Sequence, residues 1–156
     1  MMKPVNSKLP VIMYGANYTL LGCYFIYLIL ILISFTCLDS KGFMEEEEWI
    51  RQFQESMKIQ TVANYIQTLG KIVFVGGHLI FIAIWKKKVL IISYKQLLIA
   101  YGTVFLLLAS GLTLCSLIST NHFYDFLYPL WSIGIWLLFF LIAEITLSYL
   151  QKKRFI

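Results

Sequence analysis

Residues 62–85 read VANYIQTLGKIVFVGGHLIFIAIW. The run is long and apolar enough to cross a ~30 Å hydrocarbon core as a helix, and it stops at three consecutive lysines, Lys86, Lys87 and Lys88. It also carries polar residues in a line. At ~100° per residue, Gln60, Asn64, Gln67, Lys71 and His78 fall within a sector of roughly 60°. A lipid-facing helix does not carry such a stripe, so the expectation is that it faces protein or water and that this helix sits at the centre of a bundle.

Working outward toward the N-terminus, Asp39 to Thr61 is the only long polar segment. A turn at Asp39, Ser40, Lys41 and Gly42 leads into four consecutive acids, Glu45, Glu46, Glu47 and Glu48. Trp49, Ile50, Phe53 and Met57 then follow at the spacing of an amphipathic stripe. A helix over 43–58 is predicted, lying on the membrane surface or running directly into the following crossing, with its acids in the first turns where the helix dipole favours negative charge. Its two readings are a solvated connector and a docking surface for a basic partner. Before it, Tyr18 to Leu38 has 21 residues without a charge and reads as a first crossing. That run is too long for a signal-peptide core, and no small-residue cleavage site follows it. Residues 1–17, with Pro4 and Pro10, read as an irregular lead-in.

Toward the C-terminus, residues 96–119 form a third crossing, and Gly102, Ala109, Thr113 and Ser116 share one face of it. Small residues at that spacing let helices approach closely in lipid, so a packing seam is expected there. A fourth crossing covers about 126–150. The fold class is therefore all-α, an integral membrane four-helix bundle forming a single polytopic domain.

Composition agrees: of 156 residues, 60% are hydrophobic and only 13% charged, with a mean hydropathy of +0.77. A soluble domain would be closer to half apolar and a quarter charged. The net charge of +5 gathers at segment ends rather than in a basic stripe interleaved with aromatics, which speaks against a nucleic-acid partner. With both termini cytoplasmic, the inner side holds nine of the thirteen basic residues: Lys3, Lys8, Lys86, Lys87, Lys88, Lys95, Lys152, Lys153 and Arg154. The positive-inside rule gives N-in, C-in, with the amphipathic segment outside; the compactness and the charge asymmetry favour a bacterial inner membrane over an organellar one, and both stay open.

Three ionisable side chains fall inside crossings: Lys71, His78 and Glu144. Each costs ~2.5–3.5 kcal/mol at membrane depth unless it finds a partner or water. Helical rise puts His78 roughly 10 Å and Glu144 roughly 9 Å from the same boundary, so the two can pair across the bundle, with Ser148 and Gln151 continuing the Glu144 face. Lys71 lies ~10 Å further along and is expected to snorkel toward Glu45 to Glu48 or Asp125. One reading makes this line a proton or cation path; the others make it a lock on helix packing or a recognition surface.

Nothing points to a cofactor or a metal. His78 has no second histidine a turn away, His122 is a loop residue, and Cys23, Cys37 and Cys115 lack metal-ligand spacing. Cys37 and Cys115 would lie near one face, which leaves a disulfide open. Asn17-Tyr-Thr fits a glycosylation pattern on the wrong side of the membrane. No nucleophile triad or nucleotide-binding loop is present, so no enzyme is expected.

In topology, the layout resembles two groups of small four-helix proteins: bacterial immunity proteins against pore-forming bacteriocins, and the membrane domains that anchor conjugative coupling proteins. That resemblance implies interaction with a membrane protein partner, or self-association, within the lipid bilayer. A small ion or solute transporter subunit working as an oligomer, and an accessory subunit of a respiratory or secretion complex, are the competing expectations.

Overall fold

The computed structural model describes residues 8–38, 46–87, 94–119 and 123–153. They form four α-helices: α1 (Lys8–Leu38), α2 (Glu46–Lys87), α3 (Tyr94–Ile118) and α4 (Phe123–Lys153). All four are long and apolar enough to cross a membrane, and the protein is an all-α, multi-pass membrane four-helix bundle.

Two helices are longer than the sequence suggests. α1 starts at Lys8, ten residues before the expected crossing, because Pro10 falls in the first turn, where backbone N–H groups have no helical partner to lose. α2 runs for 42 residues through both the acidic segment and the second crossing. No Gly or Pro interrupts it before Gly70, so the two predicted pieces are one rod. Glu45 and the turn before it lie outside the described residues.

Packing follows the order α1, α2, α4, α3 around the bundle, so that α2 and α3, consecutive in sequence, sit across a diagonal. The most buried helix is α1, with 44% of its most apolar window inside the bundle against 28% for α2. This corrects the expectation that α2 would be central. Within its polar stripe, Gln60 meets Ser34 of α1, and His78 meets both Asn17 of α1 and Glu144 of α4.

The α1–α2 hairpin is set by two rows of residues on α2, each with a seven-residue period. One row is Ser56, Ala63, Gly70 and Gly77; the other is Gln60, Gln67, Phe74 and Phe81. A strict seven-residue period makes two helices wind around one another in a left-handed sense. The first row consists of small residues, and the backbones close on it. A Cβ at Gly70 would lie 2.6 Å from the Cys23 Cβ, and one at Gly77 would lie 2.6 Å from the Ala16 Cβ. At the far end Gln60 Nε2 donates to Ser34 Oγ and to Ser56 Oγ, each at 3.4 Å.

The seam expected on α3 is not made within the chain. Gly102 has open space where a side chain would go, and Thr113 is exposed, its hydroxyl donating to the Ala109 carbonyl of its own helix. Ser116 likewise donates to Thr113 O. α3 meets α1 instead through Gly111, where a Cβ would come 2.9 Å from the Phe25 ring. Cys115 is buried with a free thiol, and the Cys37 side chain lies outside the described residues.

In α4, Pro129 sits inside the helix and cannot donate to the Asp125 carbonyl. The Tyr27 hydroxyl of α1 donates to that carbonyl at 3.1 Å. The bond ties α1 to α4 at the end of the bundle opposite the lysines, beside the edge-on contact of Phe35 with Phe126.

Candidate functional site: a buried polar cluster drawn from all four helices

Each helix sends one polar side chain to a common point: Asn17 from α1, His78 from α2, Tyr101 from α3 and Glu144 from α4. Their exposures are 2%, 0%, 3% and 0%. His78 is the node. Its Nδ1 lies 2.7 Å from Glu144 Oε1 and 3.0 Å from the Tyr101 hydroxyl, and its Nε2 lies 3.1 Å from Asn17 Oδ1.

Hydrogen placement follows from these distances. With Asn17 Oδ1 as acceptor, His78 Nε2 carries a hydrogen and donates it. A 2.7 Å separation between Nδ1 and a carboxyl oxygen requires a hydrogen between them, held by one atom or the other. The cluster is thus a hydrogen-bonded set of imidazole, carboxyl and phenol in a dry setting. Phe74 and Phe140 enclose the imidazole, with ring centroids 4.4 Å and 5.0 Å away. Two of the cluster's own polar atoms have no partner among the described residues, Glu144 Oε2 and Asn17 Nδ2. Such groups are costly to leave unpaired in a low-dielectric interior.

The helices deliver these side chains for local reasons. Gly77 lets α1 approach so closely that Asn17, next to Ala16, reaches the adjacent His78. On α4, Gln151 continues the Glu144 face one turn beyond the half-buried Ser148, and its Nε2 donates to the Trp85 carbonyl at 3.1 Å. That carbonyl belongs to the last described turn of α2, so the bond ties α4 to α2 at this end.

The polar residues expected to lie together divide into two sets. His78 and Glu144 meet, as their matched depths suggest. Gln67 is buried with its Nε2 unpartnered. Asn64 is exposed and Lys71 half-buried, and neither joins the cluster. Lys71 pairs with none of the described acids; Glu48 is about 35 Å away along the same rod, far beyond the reach of a lysine side chain. Glu46, Glu47 and Glu48 are exposed, and Arg51 touches Glu48 only at 4.0 Å.

Two members were missed in the sequence. Asn17 falls at the end of the expected irregular lead-in and fits a glycosylation pattern, yet at 2% exposure it is a core residue. Tyr101 lies in the third crossing, where the sequence draws attention to the small-residue face instead. Depth was the available signal: Tyr101 is seven residues from the lysine-side end of α3, as His78 is from Trp85. Among the described residues no group of three His, Cys, Asp or Glu side chains is placed to hold a metal ion; His122 lies outside them.

A multi-pass four-helix bundle with a polar node is the class this geometry defines. The chain matches no protein-family model, no curated protein and no solved structure.

Proposed function

We propose that this is a non-enzymatic interaction protein of a bacterial inner membrane, with both termini in the cytoplasm, that engages a membrane protein partner through α2. It acts in the manner of an immunity or exclusion protein, or as the membrane partner of a larger complex. The observation that carries this reading is the overshoot of α2.

In the antiparallel hairpin Ala16 faces Gly77, Cys23 faces Gly70 and Ser34 faces Gln60. Continued, this register brings the end of α1 level with about Ser56, so that residues 46–55 extend α2 by about 15 Å. Both seven-residue rows continue into that stalk. Trp49 lies seven residues before Ser56, and Phe53 seven before Gln60. Their rings stack at 5.4 Å and both are exposed, together with Ile50 and Met57. The stalk therefore carries the same seam that α1 fills below, past the point where α1 stops. Glu46, Glu47, Glu48 and Glu55 flank it. A second copy in the same membrane would align acid with acid, so the charge favours a different partner, one with a helix that pairs apolar residues with lysine or arginine.

The test is photocrosslinking in native membranes from Phe53 and, as a lipid-facing control, from Leu106. A single partner captured at Phe53 and absent at Leu106 is the expected result. Capture of this chain alone at Phe53 overturns it.

A second reading, a small transporter subunit working as an oligomer, draws on the unpartnered Glu144 Oε2. Against it, His78 and Glu144 are wholly enclosed, and Lys71 is two turns away. Proton flux into liposomes that is lost in Glu144→Gln while the protein still assembles would favour it.

A further inference from the structure

We propose that the face of α2 carrying Asn64, Thr68 and Lys71 receives a transmembrane helix of the partner protein, and that this helix sets an aspartate or glutamate carboxylate against Lys71 near the middle of the bilayer. The inference rests on the reading of α2 as the partner-facing helix and carries it from the stalk into the membrane.

The α1–α2 hairpin sets the depth of Lys71. The apolar span of α1 is Val11–Thr36, centred between residues 23 and 24, and Cys23 packs against Gly70. Lys71 follows Gly70, so its backbone lies at the middle of the span, about 15 Å from either face of a ~30 Å hydrocarbon core. A lysine side chain, four methylenes and an amine, covers less than half of that distance and does not reach the headgroups. An ammonium at this depth needs a carboxylate or water.

This chain supplies no such carboxylate. Of its eight acids, Asp39, Glu45, Glu46, Glu47, Glu48, Glu55 and Asp125 all lie toward the outer ends of the helices; Glu55 is sixteen residues from Lys71, or about 24 Å along the rod. The eighth, Glu144, is wholly enclosed and lies 2.7 Å from His78. A second copy of the chain has the same inventory, so its one carboxylate within a crossing is taken as well. The phosphate of an anionic lipid stays at the surface. A carboxylate on the membrane helix of a different protein is the group that fits.

The face is open and continuous with the stalk. Asn64 and Thr68 are exposed and Lys71 is half-buried, all within about 60° around the helix. Ile50, Met57, Asn64, Lys71 and His78 form a third row of period seven beside the two that build the hairpin. From Ser56 toward the lysines α1 fills those two rows, so a helix wound on the stalk at Ile50 and Met57 comes down along the third, onto Asn64 and Lys71. At His78 the row is already occupied by Glu144 of α4. Among the described residues, the ring and hydrogen-bond contacts of α2 with α4 are Phe74 with Phe140, His78 with Glu144 and Trp85 with Gln151, all on the lysine side of Lys71. The partner carboxylate thus repeats at Lys71, one seven-residue step away, what Glu144 does at His78.

The experiment uses the full chain in phosphatidylcholine vesicles with a synthetic transmembrane helix of about 21 leucines and alanines that bears one glutamate at its centre. Association is read by energy transfer between labelled chain and labelled peptide. The glutamate peptide should bind roughly three- to tenfold tighter than the same peptide with glutamine at that place, the range of polar pairs in membranes. Lys71→Arg should keep the preference. Lys71→Met should abolish it and leave the unfolding midpoint at or above that of the parent, because no contact within the bundle is lost. Equal binding of the two peptides by the parent, or a preference that survives in Lys71→Met, overturns the proposal. A Lys71→Met variant that is destabilised or fails to fold overturns it too, since Lys71 would then have a partner inside its own bundle. The peptide ends at the membrane surface and does not reach Trp49 or Phe53, so a failure here is distinct from a failure of the stalk, which the crosslinking from Phe53 decides.

Discussion

Pro129 leaves the Asp125 carbonyl without its helical donor, and the hydroxyl that replaces it comes from Tyr27 on another helix. Tyr27→Phe keeps the ring and its stacking on Tyr24 but removes this donor. We expect a loss of about 1 kcal/mol in an unfolding titration in mixed micelles, the usual net value of such a bond. Adjacent glycines make a sharper pair. Gly77→Ala sets a Cβ 2.6 Å from that of Ala16 and must push α1 away from α2, whereas Gly76 has open space. The first should cost about 1–3 kcal/mol, as overpacking does, and Gly76→Ala should be neutral or stabilise by up to about 1 kcal/mol through helix propensity. The sequence shows both glycines and suggests close packing, but it cannot say which of two neighbours touches, since that depends on the rotation of α2 against α1.

At the scale of the element, α2 carries the account. Inserting one alanine between Gln54 and Glu55 rotates Trp49 and Phe53 by ~100° relative to the spanning part, yet leaves Ser56, Ala63, Gly70 and Gly77 in register with α1. Partner capture from Phe53 should disappear while the unfolding midpoint stays within about 0.5 kcal/mol of the parent, as for a surface change. A midpoint that falls with capture would mean that the stalk packs on its own bundle. The helices themselves were legible in the sequence, because apolar length and charged ends are read directly from composition. Their bounds were less so. Pro10 looks like an interruption, but it sits in a first turn, where helices accept it. The seven-residue row of small residues on α2 is the one that packs, whereas Gly102, Ala109, Thr113 and Ser116 have a similar spacing, but Gly102 has open space beside it and Thr113 is exposed.

For the whole molecule, the order α1, α2, α4, α3 puts α1 opposite α4 and α2 opposite α3, so that Asn17, Glu144, His78 and Tyr101 close both diagonals at one point. Half of that point was legible: matched depths put His78 beside Glu144, because a charge in hydrocarbon demands a partner and few exist. Asn17 and Tyr101 make no such demand, and their place depends on which helices lie across from which. The central claim is that His78 and Glu144 act as one unit that holds the bundle together. A double-mutant cycle tests it most directly, comparing unfolding free energies of the parent, His78→Leu, Glu144→Leu and the double variant. The account predicts that the double variant is less destabilised than the sum of the singles by at least about 1 kcal/mol, within the upper range seen for polar pairs in membranes. Additivity to within about 0.3–0.5 kcal/mol, the behaviour of independent sites, would contradict it.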